Sequence, residues 1–235
     1  MVEVQLIDKG RISYQESWDF QTGLHEGLKE TKVENRDRDD NEKIAQEHYF
    51  VLCEHNPVYT LGKSGSEDHL LIDKEKRDKE QIEYFKINRG GDITFHGPGQ
   101  IVGYPILDMD EIFTDIHKYV RYLEEIIIRT CADYGILCTR IEGFTGVWIE
   151  KGTTKRKICA IGVHLSRWVT MHGFAFNVNT DLNYFNYIIP CGIQEEGKEV
   201  TSLAKELGRE IDYEEVKNKI KHYFAEIFQV KLISK

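Results

Sequence analysis

The chain has 235 residues, 40% of them hydrophobic and 30% charged, with a formal net charge of −9 at pH 7. That length suits one globular domain over residues 1–235, and the acidic balance argues against nucleic acid as a partner, because phosphate binding needs a basic surface. No apolar run approaches the roughly 18 residues of a membrane span, and the start MVEVQLIDKGRISY lacks the apolar core of a signal peptide, so the expectation is a cytoplasmic protein away from membranes.

Residues 1–13 alternate (Val2, Val4, Leu6, Ile12) as one or two strands with a turn at Lys9-Gly10. From Tyr14 to Glu30, apolar residues at 14, 18, 24 and 28 share one helical face. Residues 31–47 are almost wholly polar and read as a solvated loop meeting a helix end. Tyr49–Glu54 reads as a buried strand closed by His55-Asn56-Pro57. Residues 67–81 read as a charged surface helix, and Glu83–Asn88 as a strand.

Arg89 to Ile106, RGGDITFHGPGQIVGYPI, carries glycine at 90, 91, 97, 99 and 103 in an otherwise strand-like run. Pro98 between two glycines suits a tight corner. Two readings follow: a β-hairpin, or a backbone cradle for a small ligand, since glycine admits close approach.

Asp110–Tyr134 has the clearest helical spacing (Ile112, Phe113, Ile116, Val120, Leu123, Ile127, Cys131), with Gly135 placed to cap it. Gly146–Ile149, Lys157–Leu165 and Val169–Val178 read as an antiparallel meander. Helices over Val200–Leu207 and Tyr213–Phe228 finish the chain. Strands between helices, without a βαβ rhythm, predict an α+β or mixed α/β fold.

Familiar nucleotide and hydrolase motifs fail. Gly62-Lys63-Ser64 follows Pro57 where a P-loop needs glycine, Val102 stands where a dinucleotide fingerprint needs one, and Ser66 breaks G-x-S-x-G around Ser64. No histidine pair has metal-ligand spacing, so no metal is expected. The five cysteines (Cys53, Cys131, Cys138, Cys159, Cys191) contain no C-x-x-C pair and are expected to be thiols.

The ordered blocks RGGDITFHGPGQIVGYPI (89–106), KICAIGV (157–163), MHGFAFNVN (171–179) and IIPCGI (188–193) resemble the lipoyl(octanoyl) transferases. EHNPVYTLG (54–62), FTGVWI (144–149) and VTSL (200–203) fit as well, so the resemblance covers about 48–207. It implies a biotin/lipoate protein ligase-like domain, with a larger mixed sheet and a smaller sheet flanked by helices. It implies an octanoyltransferase that moves an octanoyl group from acyl carrier protein to a lysine of lipoyl domains. The implied acceptors are the lipoyl domains of 2-oxoacid dehydrogenases and the glycine cleavage H protein. No cofactor is implied, since phosphopantetheine arrives on the acyl carrier protein.

By the same resemblance Cys191 is the acyl-thioester nucleophile and Lys157 the group that activates it. Read without the family, Cys191 would be a structural cysteine in a loop, and lysine an ordinary surface residue. A free thiol has a pKa of about 8.5, so an ammonium that lowers it by ~2 units, for ~2.7 kcal/mol, makes thiolate the majority form at neutral pH. The implied acyl pocket comprises Arg89, Gly90, Gly91, Asp92, Ile93, Thr94, Phe95 and His96, with Ala160, Ile161 and Gly162, and Gly173, Phe174 and Ala175. His96 reads equally as a pocket donor or a packed turn residue, and Arg89 as an anion contact or a surface residue. Phe95 departs from the family's common tyrosine, and the loop before Lys157 carries extra basic residues, Lys151, Lys155 and Arg156. Competing readings are an ATP-dependent lipoate or biotin ligase and a non-catalytic acyl-binding module. Against the ligase, the chain lacks its RRxSGGG-type and GRGRxG-type loops.

Overall fold

The computed structural model describes residues 1–190 and 197–234. Strand β1 (Glu3–Ile12) is continuous, with a bulge between Asp8 and Arg11 where Gly10 adopts φ +57°. Helix α1 (Tyr14–Glu34) starts at a capping box in which Ser13 and Glu16 satisfy each other's backbone N–H groups. Next come β2 (His48–His55), β3 (Val58–Leu61), the short helix α2 (Lys74–Lys79) and β4 (Glu83–Lys86). Strands β5 (Ile93–His96) and β6 (Gln100–Ile106) precede α3 (Ile116–Ala132), β7 (Thr139–Ile141), β8 (Phe144–Lys151), β9 (Thr154–Ser166) and β10 (Val169–Asn177). The chain finishes with β11 (Lys198–Val200), α4 (Leu203–Leu207), α5 (Tyr213–Phe228) and β12 (Lys231–Ser234).

Among the described residues, nine strands form one mixed sheet in the order β12-β1-β2-β6-β10-β9-β8-β7, with β11 parallel to β9. The smaller sheet has the order β4-β3-β5. Strand β2 is apolar on both faces: Phe50 and Leu52 meet α3 and α5, while Tyr49, Val51 and Cys53 meet α1. In α5 the four-residue spacing of Val216, Ile220, Phe224 and Phe228 puts all four in that first core, where Phe224 stacks on Phe50 at 4.0 Å between centroids. Among the described residues no helix is long and apolar enough to cross a membrane.

The sequence expectations differ from this fold in a few places, each with a physical cause. Strands β5 and β6 do not form a hairpin; β5 pairs with β3 in the small sheet and β6 with β2 and β10 in the large one. The Gly97-Pro98-Gly99 corner therefore carries the chain between sheets. Gly99 has φ +78°, its carbonyl accepts from Val178 and Asn179, and a Cβ there would lie 2.6 Å from Asn179. The long helix begins at Ile116, because Asp115 caps it by accepting from the Lys118 N–H at 2.9 Å. The charged 67–81 stretch is helical only over Lys74–Lys79, after a 3-10 turn at Glu67–His69. The meander of β8, β9 and β10 follows the expected course.

Candidate active site

A cavity of about 320 Å³ lies between the large sheet and the segment that follows β4. Its floor consists of small residues in facing positions: Ala160 pairs with Ala175, and Gly162 with Gly173, across β9 and β10. The opposing wall is the segment from Arg89 to Thr94, anchored by the Gly90 N–H donating to the Val163 carbonyl at 2.9 Å. Gly162 admits this anchor, since a Cβ there would sit 2.8 Å from the Gly90 carbonyl oxygen. Ile161, Val163, Val102 and Phe174 supply apolar lining.

Lys157 reaches the cavity because of a bulge. Strand β8 pairs Val147 with Cys159 but Trp148 with Lys157, so Ile158 is an extra residue on β9. Ile158 and Cys159 are consecutive yet both fully buried in the core under α3 and α5. Simple alternation would put Lys157 on the Cys159 face; the bulge moves it to the face of Ala160 and Gly162. Its Nζ lies 4.5 Å from the centre of the Trp148 ring, and Gly143, Phe144 and Thr145 line the cavity beside it.

Strand β11 occupies the β9 edge beyond the last paired residue of β10, placing Val200 opposite Lys157. The Thr201 N–H donates to the Lys157 carbonyl at 2.9 Å. Pro190 and Val200 both line the cavity. Cys191, with Gly192 and Ile193 of the same motif, lies outside the described residues. Burial raises the thiols of Cys53 and Cys159, and the hydrogen bond that the Cys131 thiol gives to Cys138, together with burial, raises that of Cys131, so these three stay protonated.

Arg89 is buried rather than a surface residue. Its guanidinium donates to the Thr60 carbonyl at 2.6 Å and to Thr60 Oγ1 at 3.0 Å. The Thr60 hydroxyl in turn donates to His96 Nε2 at 3.3 Å, and His96 Nδ1–H to Gln100 Oε1 at 2.9 Å. Gln100 donates to Asn177 Oδ1 at 2.9 Å, and Asn177 to the Thr201 carbonyl at 3.0 Å. This relay crosses from the small sheet to the residue beside Lys157 and fixes the neutral tautomer of His96. Burial, then the nearby His55 and Arg89, hold His96 well below the usual imidazole pKa. His96 both lines the cavity and spends both ring nitrogens inside the protein.

Of the implied pocket residues, Arg89, Gly90, Gly91, Asp92, Ile93, Thr94, His96, Ala160, Ile161, Gly162, Gly173, Phe174 and Ala175 all line this cavity. Phe95 does not. As its neighbours Thr94 and His96 face the cavity, Phe95 points to the other side of β5 and stacks on Tyr184 at 4.6 Å.

Sequence reasoning missed His172, Tyr14 and Tyr104, which also line the cavity. Alternation would place His172 with Phe174 and Phe176 on the face covered by α3 and α5. Its φ of +62° instead turns the side chain toward Asn88, to which Nε2–H donates at 2.8 Å. Burial, then Arg89, lower its pKa to about 3. The Tyr104 hydroxyl donates to His55 Nε2 at 2.8 Å, and His55, lowered by burial to about 4, donates from Nδ1 to the Ile12 carbonyl. MHGFAFNVN contained the signal for His172, but only the backbone reveals its strained conformation.

Comparison with known proteins identifies the family and the fold. A family model described as the lipoyl protein ligase A/B catalytic domain matches residues 13–225. The chain is 52% identical over 225 residues to a protein of Cytophaga hutchinsonii named octanoyltransferase, covering 95% of this chain and 91% of the relative. It is 54% identical over 232 residues to one of the same name from Christiangramia forsetii, covering 98% and 97%. Among solved structures, a bi-partite lipoate protein ligase of Thermoplasma acidophilum superposes with TM-score 0.69 at 15% identity, over 100% of this chain and 87% of that one. A lipoate-protein ligase A solved with ATP gives TM-score 0.69 at 15% identity, over 100% and 89%. At such identity the two structures speak for the fold, a lipoate ligase-like domain with a large and a small sheet.

Proposed function

The chain belongs to the family of lipoyl protein ligase A/B catalytic domains and is an enzyme of octanoyl transfer, and from that premise we propose that it works through a covalent thioester on Cys191. The donor is octanoyl-acyl carrier protein. The acceptor is the ε-amine of a lysine on lipoyl domains, those of 2-oxoacid dehydrogenases and the glycine cleavage H protein. The observation that carries this reading is that Lys157 and Pro190, the residue bonded to Cys191, line one cavity with a small-residue floor.

The Cys191 thiolate attacks the donor's carbonyl carbon, and the tetrahedral adduct expels the phosphopantetheine thiolate, which takes a proton from the Lys157 ammonium. The acceptor amine then attacks the Cys191 thioester. Its proton passes to the neutral Lys157 amine, and the Cys191 thiolate departs, restoring the starting charges. Two easier steps replace one difficult one. The seven carbons beyond the carbonyl lie in the cavity, contributing ~0.8 kcal/mol per buried CH₂, about 5 kcal/mol before ordering losses.

Intact mass after incubation with octanoyl-acyl carrier protein and no nucleotide tests the reading. The expected result is an octanoyl adduct on the wild type that is absent from Cys191→Ser. An adduct that forms only with ATP would overturn the cysteine route and favour ligase chemistry.

A further inference from the structure

The segment from Tyr187 to Pro190, which leads directly into Cys191, is held by the 3-10 turn and bridge at residues 67–71. The Leu71 N–H donates to the Tyr187 carbonyl and the Ile189 N–H to the His69 carbonyl, both at 2.8 Å, and Leu70 and Ile188 form an antiparallel bridge. Ile189 contributes the last backbone N–H before Cys191, because Pro190 has none. That last N–H goes to His69.

The imidazole of the same residue is tied to the acyl cavity. His69 Nδ1–H donates to Asp92 Oδ2. Asp92 lines the cavity and is itself braced: its Oδ1 accepts from the Ile93 N–H at 2.7 Å, and its carbonyl accepts from the Gly62 N–H at 3.2 Å. Neighbouring bonds from Lys63 to the Arg89 carbonyl at 3.0 Å and from Ser64 to the Gly91 carbonyl at 3.1 Å make that wall rigid. One residue thus holds the cavity wall with its side chain and the segment before Cys191 with its backbone.

We propose that His69 is a positioning residue for acyl transfer: clasped by Asp92, it sets the segment Tyr187–Pro190, which leads into Cys191, against the wall of the cavity. The proposal rests on Cys191 being the nucleophile. Hydrophobic packing of Leu70, Ile72 and Ile188 keeps this region folded without the clasp, so losing it affects placement more than folding. Misplacement of reacting groups by about 1 Å can cost on the order of a hundredfold in rate.

The test compares His69→Gln, which keeps a donor toward Asp92, with His69→Leu, which keeps bulk but has none. Octanoyl transfer from octanoyl-acyl carrier protein to a lipoyl domain is followed at steady state, with melting curves on each variant. The expected result is kcat down about tenfold or more in His69→Leu, KM for the octanoyl donor within about twofold, and most of kcat restored in His69→Gln. Equal kcat in the two variants, or a His69→Leu effect confined to melting temperature, overturns the clasp. Cys191→Ser run in parallel separates the two readings. If it retains transfer, the thioester route fails; if it is inactive while His69→Gln and His69→Leu turn over equally, only the positioning role of His69 fails.

Discussion

Gly162→Ala is the sharpest probe of how the cavity is built. Gly162 lies on the floor of β9, and an added Cβ would sit 2.8 Å from the Gly90 carbonyl oxygen and 3.1 Å from Arg89 Cδ. Both contacts are too close for carbon, so the Arg89–Gly90 segment must retreat by several tenths of an ångström. That retreat stretches the 2.9 Å bond from the Gly90 N–H to the Val163 carbonyl and strains the grip of Arg89 on Thr60. Overpacking costs about 1–3 kcal/mol, and the weakened hydrogen bond about 1. Reduced freedom of the unfolded chain returns about 0.4–1 kcal/mol. The expected net is a destabilisation of about 1–3 kcal/mol by urea titration, with a raised KM for the octanoyl donor because one wall has moved. Gly23→Ala serves as the control: nothing lies within 4 Å of its Cβ position on α1, so it should stabilise by about 0.8–1 kcal/mol. Unchanged stability and unchanged KM in Gly162→Ala would refute the account of the floor.

The buried histidines predict acid sensitivity. His55 and His172 are held near pKa values of about 4 and about 3 by burial, against about 6.5 in the unfolded chain. Between those values the unfolded state binds more protons, so their stability contribution is intact above about pH 6.5 and is lost as pH falls toward 4, about 3 kcal/mol from His55. Urea titrations from pH 7 to 4.5 should show this decline, and His55→Gln should flatten part of it; an identical slope in the variant would exclude His55. Phe224→Ala removes a fully buried ring stacked on Phe50, and equilibrium unfolding should register a loss of about 3–5 kcal/mol. For Lys157→Ala, the alkylation–pH profile of Cys191 should move up by ~2 units, and an unmoved profile would rule out activation by this lysine.

Whatever depends on local periodicity and on motif content was legible in the chain alone. The face of α5 could be read from Val216, Ile220, Phe224 and Phe228, because an α-helix repeats every 3.6 residues and one apolar stripe must be buried. The β8–β10 meander was legible because short connections leave neighbouring strands little choice of partner. Four ordered motif blocks also pointed to the family and to about half of the residues that line the cavity.

Which sheet each strand joins was settled by contacts remote in sequence. Glycines and a proline between β5 and β6 look the same in a hairpin as in a corner between two sheets; the partners, β3 for β5 and β10 for β6, carry no local signal. Likewise β11 and β12 are too short for any periodic pattern, and each finds its edge through parallel pairing with a distant strand. Side-chain direction at the site was hidden for the same reason. Period-two alternation sends Lys157 and His172 toward the core under α3 and α5; a bulge at Ile158 and a positive φ at His172 turn both into the cavity. Residue identity pointed to the family, while nonlocal pairing and two backbone irregularities aimed the side chains that line the cavity.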